Sequence, residues 1–176
     1  MVRYDRPGPD EYAPYYQQYI DLVPAGVTNV INHLKMQGQG TLALMRTLDD
    51  RAAEARYAPG KWTVKELVGH LIDTERLFAF RALWIARGET APQPGMDEVL
   101  WGTNSNAGGR RIAELWREQH VCRTDHLYML KSLDAAAVAR RGTANGNPVS
   151  VRAIPWIIAG HEQHHLNVLK ERYGIG

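Results

Sequence analysis

Four stretches of roughly 20 residues repeat apolar side chains every three to four positions, the period of a helix with one buried face. No segment alternates apolar and polar residues over a useful length, and no Asn-Gly pair is flanked by two such segments, so strands are not expected. The first helix is expected from about Gly26 to Leu48, with Val30, Leu34, Leu42, Leu44 and Met45 inward and Gly38 and Gly40 as weak points. A short helix near Pro9 to Ile20 should precede it, since Pro9-Asp10-Glu11 suits a first turn. The second has the clearest start, a capping box at Thr63-Val64-Lys65-Glu66 after the breaker pair Pro59-Gly60, and should stop at Gly88. Its inward stripe reads Leu67, His70, Thr74, Leu77, Phe78, Arg81 and Ile85. The third spans about Gly109 to Leu133, with Ile112, Leu115, Gln119, Cys122, His126 and Leu130 on one side. The fourth runs from near Ser150 to Gly174, a glycine placed as a C-cap, and Pro155 is expected to make its first turn irregular. Four such stripes bury one another most simply as an all-α four-helix bundle. The Pro-, Gly- and Asn-rich segment from Glu89 to Ala107 is long enough for a crossover or a lid, and Gly142 to Pro148 is a turn cluster.

Length and composition narrow the class. A chain of 176 residues supports one well-filled core, read here as a single domain over residues 1–176. The net charge of +2, the short apolar runs and an N-terminus without an apolar signal region argue for a soluble, cytoplasmic protein with no membrane partner. Cys122 is the single cysteine, so no intramolecular disulfide can form and a reducing compartment suits the chain. The Arg pairs at 110–111 and 140–141 are isolated rather than a basic stripe, which gives no warrant for nucleic-acid binding.

Chemistry concentrates at Gly160-His161-Glu162-Gln163-His164-His165. Positions i and i+4 of a helix lie about 40° apart on one face, so His161 and His165 can reach one ion. Two imidazoles on an apolar stripe would be costly without a partner, and a divalent metal supplies one. A zinc site that does chemistry keeps three protein ligands and an open position, so a third ligand is needed. By periodicity His70 and His126 both qualify, each on an apolar helix face, and spacing alone does not decide between them. His164 falls off the stripe centre and reads as a rim residue, while His33 and His120 read as ordinary hydrogen-bonded histidines.

The run His161-Glu162-Gln163-His164-His165 formally matches the H-E-x-x-H zinc-protease signature, in which the glutamate is general base to a metal-bound water. The extended form fails, because Val168 and Glu171 stand where Gly and His are required, and an all-helical chain offers no strand to hold a peptide substrate. Asp73 and Glu75 read as a solvated helix face, with a hydrogen bond to a ligating imidazole as the sharper alternative. Arg81, on an apolar stripe, requires an anion, and a structural salt bridge is expected over a negative group of the substrate.

Three segments carry a family resemblance: Lys61-Trp62 through Glu75-Arg76 around His70, Ala144-Asn-Gly-Asn-Pro-Val-Ser-Val-Arg152, and Ile158-Ala-Gly-His161-Glu-Gln-His-His165. They resemble the DinB-like superfamily of bacterial four-helix-bundle metalloproteins, which includes YfiT-type hydrolases and thiol-dependent S-transferases. The resemblance implies a bundle with a long crossover connection, commonly a homodimer, whose metal is held by His70, His161 and His165. It also implies zinc or nickel as the ion, with a low-molecular-weight thiol as cosubstrate in some branches; three imidazoles suit either metal. The expected function is a metal-dependent enzyme, S-transferase or hydrolase, acting on a small molecule that enters beneath the 89–107 segment and the Asn145/Asn147 turn, with the ion as Lewis acid and Glu162 or a metal-bound hydroxide as the catalytic base. The alternatives are a non-catalytic metal or ligand binding bundle and a helical dimerisation protein with an empty site.

Overall fold

Helix ends follow side chains that satisfy the backbone groups a helix leaves bare. A computed structural model describes residues 2–176. In chain order its elements are α1 (Gln17–Leu22), α2 (Val30–Met45), α3 (Val64–Ala86), α4 (Glu98–Asn104), α5 (Ile112–Lys131), α6 (Ala135–Ala139), β1 (Arg141–Ala144), β2 (Asn147–Ser150) and α7 (Ala153–Tyr173). The capping box is present, with Thr63 Oγ1 accepting from the Glu66 amide at 3.1 Å and Glu66 Oε2 from the Thr63 amide at 2.7 Å. Gly174 closes α7 in the left-handed conformation, φ 69°. Among the described residues no helix is long and apolar enough to cross a membrane.

Several boundaries differ from expectation. The N-terminal segment is not one helix from Pro9 to Ile20 but two 3-10 turns, Pro9–Glu11 and Pro14–Tyr16, followed by α1. Pro14 holds Ala13 extended, ψ 142°, which interrupts a continuous helix. Helix α2 begins at Val30 rather than Gly26, because Asn29 is the residue whose side chain caps it. The expected irregularity at Pro155 is absent and α7 runs unbroken. The helix starts at Ala153, so Pro155 falls in the first turn, where the missing N–H has no helical acceptor anyway. The turn cluster is a β-hairpin: Arg141 to Ala144 pair antiparallel with Ser150 to Asn147, about Asn145 and Gly146 at φ 52° and 72°. An Asn-Gly pair with positive φ at both positions is the tight hairpin turn, and the flanking strands are too short to reveal alternation.

The four long helices form a closed ring in which α3 packs on α5, α5 on α2, α2 on α7 and α7 on α3. Asp50 binds both Lys65 near the start of α3 and the Ile112 amide at the start of α5, and Glu75 meets Arg123 further along. Helices α3 and α5 are therefore parallel neighbours, and the 87–111 segment must return the length of α3 to join them. That return is the long crossover, and its residues sit close on α3: a Cβ on Gly69 would come within 2.6 Å of the Ala107 methyl. Likewise Gln37 with Ala159 and Thr41 with Glu162 make α2 and α7 parallel.

Two apolar clusters fill the bundle. One gathers Leu34, Phe78, Ile85, Leu130, Trp156 and Ile157; the other gathers Met45, Leu67, Leu71, Leu115 and Leu169. Between them every long helix contributes buried polar groups at one level: Gln37 and Thr41, His70, Thr74 and Glu75, Arg123 and His126, His161 and Glu162.

The tightest approach to that level is at Gly160, where a Cβ would lie 1.8 Å from the backbone oxygen of Tyr19. Only glycine lets α1 lie against α7 there. Gly160→Ala should cost about 1–3 kcal/mol or more, because backbone rather than a flexible side chain has to move. Urea unfolding measures it, and an unchanged midpoint would contradict the packing.

Candidate metal centre

Each imidazole of the candidate site is delivered by the helix face that the apolar periodicity assigns to the core. His70 lies in the second turn of α3 and is 5% exposed, and His161 and His165 lie one turn apart in α7. Their Nε2 atoms converge: His70 and His165 lie 3.1 and 3.2 Å from His161. Among the described residues these three are the set of ligand atoms lying within 4.8 Å of one another. The Trp62 ring stacks at 4.8 Å on His70, and Tyr19 meets His161 edge-on at 5.4 Å, which fixes both ring planes.

Burial keeps these rings uncharged. Loss of water pushes His70 down to about 4 and His161 to about 3, with the neighbouring imidazoles adding to the effect, and His165 is driven the same way. Three neutral rings cannot satisfy each other around one point, since each carries a single N–H and a single lone pair. His165 Nδ1 is also buried without a partner. Three Nε2 lone pairs aimed at one centre suit a tetrahedral ion: metal–nitrogen bonds of about 2.0–2.1 Å place ligand nitrogens roughly 3.3 Å apart. The donor set fits a divalent metal.

Behind the imidazoles lies a buried ion cluster. Arg123 of α5 grips Glu75 of α3 through two bonds, Nε to Oε1 at 2.9 Å and Nη2 to Oε2 at 2.7 Å. Its Nη2 also reaches Glu162 Oε2 of α7 at 2.7 Å, and Nη1 reaches the Leu34 carbonyl of α2 at 3.1 Å. Thr41 donates to the other Glu162 oxygen, and His126 Nδ1 stands 2.9 Å from Glu75. Burial alone would raise the Glu75 carboxyl, but Arg123 and His126 hold it well below the usual carboxylate range.

These contacts revise several expectations. Glu75 is 3% exposed rather than solvated, and its histidine partner is His126, not a member of the triad. His126 is thereby engaged elsewhere and stands outside the cluster. Glu162 is 1% exposed and directs both oxygens at Arg123 and Thr41. His164 is exposed at the rim, its ring 5.0 Å from that of His165. Arg81 forms no salt bridge among the described residues: only 4% exposed, it donates from Nη2 to the Pro94 carbonyl at 2.9 Å and lies over the Phe78 ring. Arg123 is the residue sequence reasoning missed: it falls at helical spacing from Leu115, Gln119, His126 and Leu130 on the buried face of α5, but an arginine reads as solvated until its partners are known.

His70 and His161 open onto a cavity of about 450 Å³. Its walls come from Tyr15, Tyr16 and Tyr19, from Thr74 to Arg81 of α3, from Met96 to Glu98 of the crossover, and from the Asn145/Asn147 hairpin. The crossover is strapped to the hairpin by backbone bonds, Gln93 N to Thr143 O and Asn145 N to Gln93 O, both 2.9 Å. Residues of both the 89–107 segment and the Asn145/Asn147 turn line this cavity.

A family model described as the DinB superfamily matches residues 33–169, more than half the chain. The chain belongs to that superfamily. Among solved structures it is similar to YfiT from Bacillus subtilis, described as a probable metal-dependent hydrolase with an unusual four-helix bundle topology. The match covers 98% of this chain and 95% of that one, with a TM-score of 0.71 at 15% identity, a likeness of fold. No curated protein matches the chain. For this DinB-superfamily bundle, parallel α3 and α5 joined by a long return supply the topology.

Removing Arg123 leaves two carboxylates buried without a cation. Arg123→Met should destabilise by about 3–5 kcal/mol in urea unfolding, and a loss below about 1 kcal/mol would contradict the cluster's burial. The unfolded chain takes up protons on its imidazoles at the ordinary value of 6.5, whereas folded His70 and His161 do so only near 4 and 3. Metal-free protein should therefore keep this stabilisation above about pH 6.5 and lose it as pH falls toward 4. The double variant His70→Gln with His161→Gln should show a shallower loss over that range; identical slopes would contradict neutral burial of the two rings.

Proposed function

We propose that the protein binds one divalent ion, zinc or nickel, through His70, His161 and His165, and is a metal-dependent enzyme acting on a small molecule. The observation that carries this reading is the convergence of three uncharged Nε2 atoms beside an open cavity of about 450 Å³. An ion held there would act as a Lewis acid and lower the pKa of a water or thiol bound to it. Hydrolysis is the leading reaction, supported by the likeness to a probable metal-dependent hydrolase. Transfer to a low-molecular-weight thiol draws on the same property of the ion and is the second reaction to test.

In this reading Glu162 is a positioning residue rather than the base expected from its place after His161. Its oxygens are occupied by Arg123 and Thr41, so it anchors the α7 turn that presents the imidazoles. The chain's own groups at the substrate are the Tyr15/Tyr16/Tyr19 wall, Phe78 and the Asn145/Asn147 hairpin, which orient the ligand and exclude water. We further propose that two copies pair through α5, where Val121 and Tyr128, one heptad apart, are 64% and 72% exposed. A cytoplasmic setting suits the free Cys122.

Protein purified without an affinity tag should carry close to one zinc or nickel ion per chain by elemental analysis, falling at least tenfold in His161→Ala. It should hydrolyse esters or amides, or conjugate a bacterial thiol, only while loaded. Absence of stoichiometric ion in the native chain would end the metal reading, and loaded protein inert toward every substrate class would leave a binding protein in place of an enzyme.

A further inference from the structure

Arg81 is a buried cation without an anion. Its side chain is 4% exposed, its Nε has no hydrogen-bond partner, and no carboxylate lies within ion-pairing distance among the described residues. What the protein offers it is neutral: the Pro94 carbonyl at 2.9 Å, the Tyr16 hydroxyl and the face of Phe78 at 5.7 Å. Taking a guanidinium out of water is expensive unless a counter-charge is supplied, and Arg123, the other arginine buried to this degree among the described residues, has two. Arg81 also lines the cavity into which His161 and His70 open.

We infer that Arg81 is the docking point for a carboxylate on the substrate, an inference that rests on the proposed function and names the chemical class acted on. Phe78 stands between the two ends of the site, its ring 6.4 Å from that of His161 and 5.7 Å from the Arg81 guanidinium carbon. A ligand anchored at Arg81 thus passes over an apolar floor of Leu77 and Phe78, beneath Tyr15 and Tyr16, and presents its far end to the imidazoles. The planar guanidinium fork matches a carboxylate. A single positive charge balances one negative charge, and the Asp97 and Glu98 side chains at the entrance repel a second. That favours a carboxylate over a phosphate dianion. The substrate class is a monocarboxylate with a short apolar or aromatic segment between the acid and the reacting bond.

Isothermal titration of the full-length protein as purified, with a chelated sample in parallel, tests this with three probes: 3-phenylpropionate, neutral 3-phenylpropanamide and 2-phenylethyl phosphate. The carboxylate should bind the native chain best in both samples, and Arg81→Met should weaken it at least tenfold while leaving the amide unchanged. Arg81→Lys, which keeps the charge and loses the fork, should fall between, and retained binding of the amide shows that the variants are folded. Carboxylate binding that depends on Arg81 in chelated protein supports the inference whether or not an ion is found, which separates it from the metal reading. No carboxylate binding by the native chain, equal loss of carboxylate and amide in Arg81→Met, or preference for the phosphate would overturn it.

Discussion

A single guanidinium at the centre of the bundle touches all four long helices. Arg123 reaches from α5 to Glu75 on α3, to Glu162 on α7 and to the Leu34 carbonyl on α2. Buried ion pairs add little net stability over a well-packed apolar core, because desolvation offsets the attraction. What such a cluster supplies is register. An apolar stripe can slide by a turn at modest cost, whereas moving Glu75 or Glu162 by a turn leaves a buried charge unmatched. Glu75 is five residues from His70 and Glu162 is adjacent to His161, so the register that satisfies Arg123 also brings the two imidazoles within 3.1 Å.

The site inherits its electrostatics from this arrangement. The ionic layer sits between two apolar clusters, which keeps water from the imidazoles on the core side and holds them uncharged. On the other side the cavity is enclosed by segments outside the bundle: the tyrosine-rich N-terminal turns, the crossover and the hairpin. The bundle therefore fixes the chemistry-bearing rings and the irregular segments shape what can approach them. Gly160 links the two, since only a bare backbone lets Tyr19 lie against α7 and its ring against His161.

Much of this was legible in the chain. The Thr63/Glu66 box, the Gly174 cap and the inward stripe of α3 carry local signals that the fold obeys, and the four-residue spacing of His161 and His165 determines their common face. The ionic layer was not, because a charged residue inside a helix reads as solvated unless its partners are known, and the partners of Glu75 lie 48 and 51 residues away. The hairpin escaped because four-residue strands carry no periodicity, and the irregularity assigned to Pro155 vanished once the helix began three residues later than expected. Choosing His70 over His126 required the family resemblance; the contact that occupies His126 is tertiary and leaves no trace in spacing.

The central claim is that one ion is held by three imidazoles whose register the Arg123 cluster sets. X-ray absorption at the metal edge of the loaded, tag-free protein tests it most directly. The account predicts three imidazole nitrogens at about 2.0–2.1 Å with a light oxygen scatterer completing the shell. A shell with fewer than three imidazoles in the native chain would contradict it.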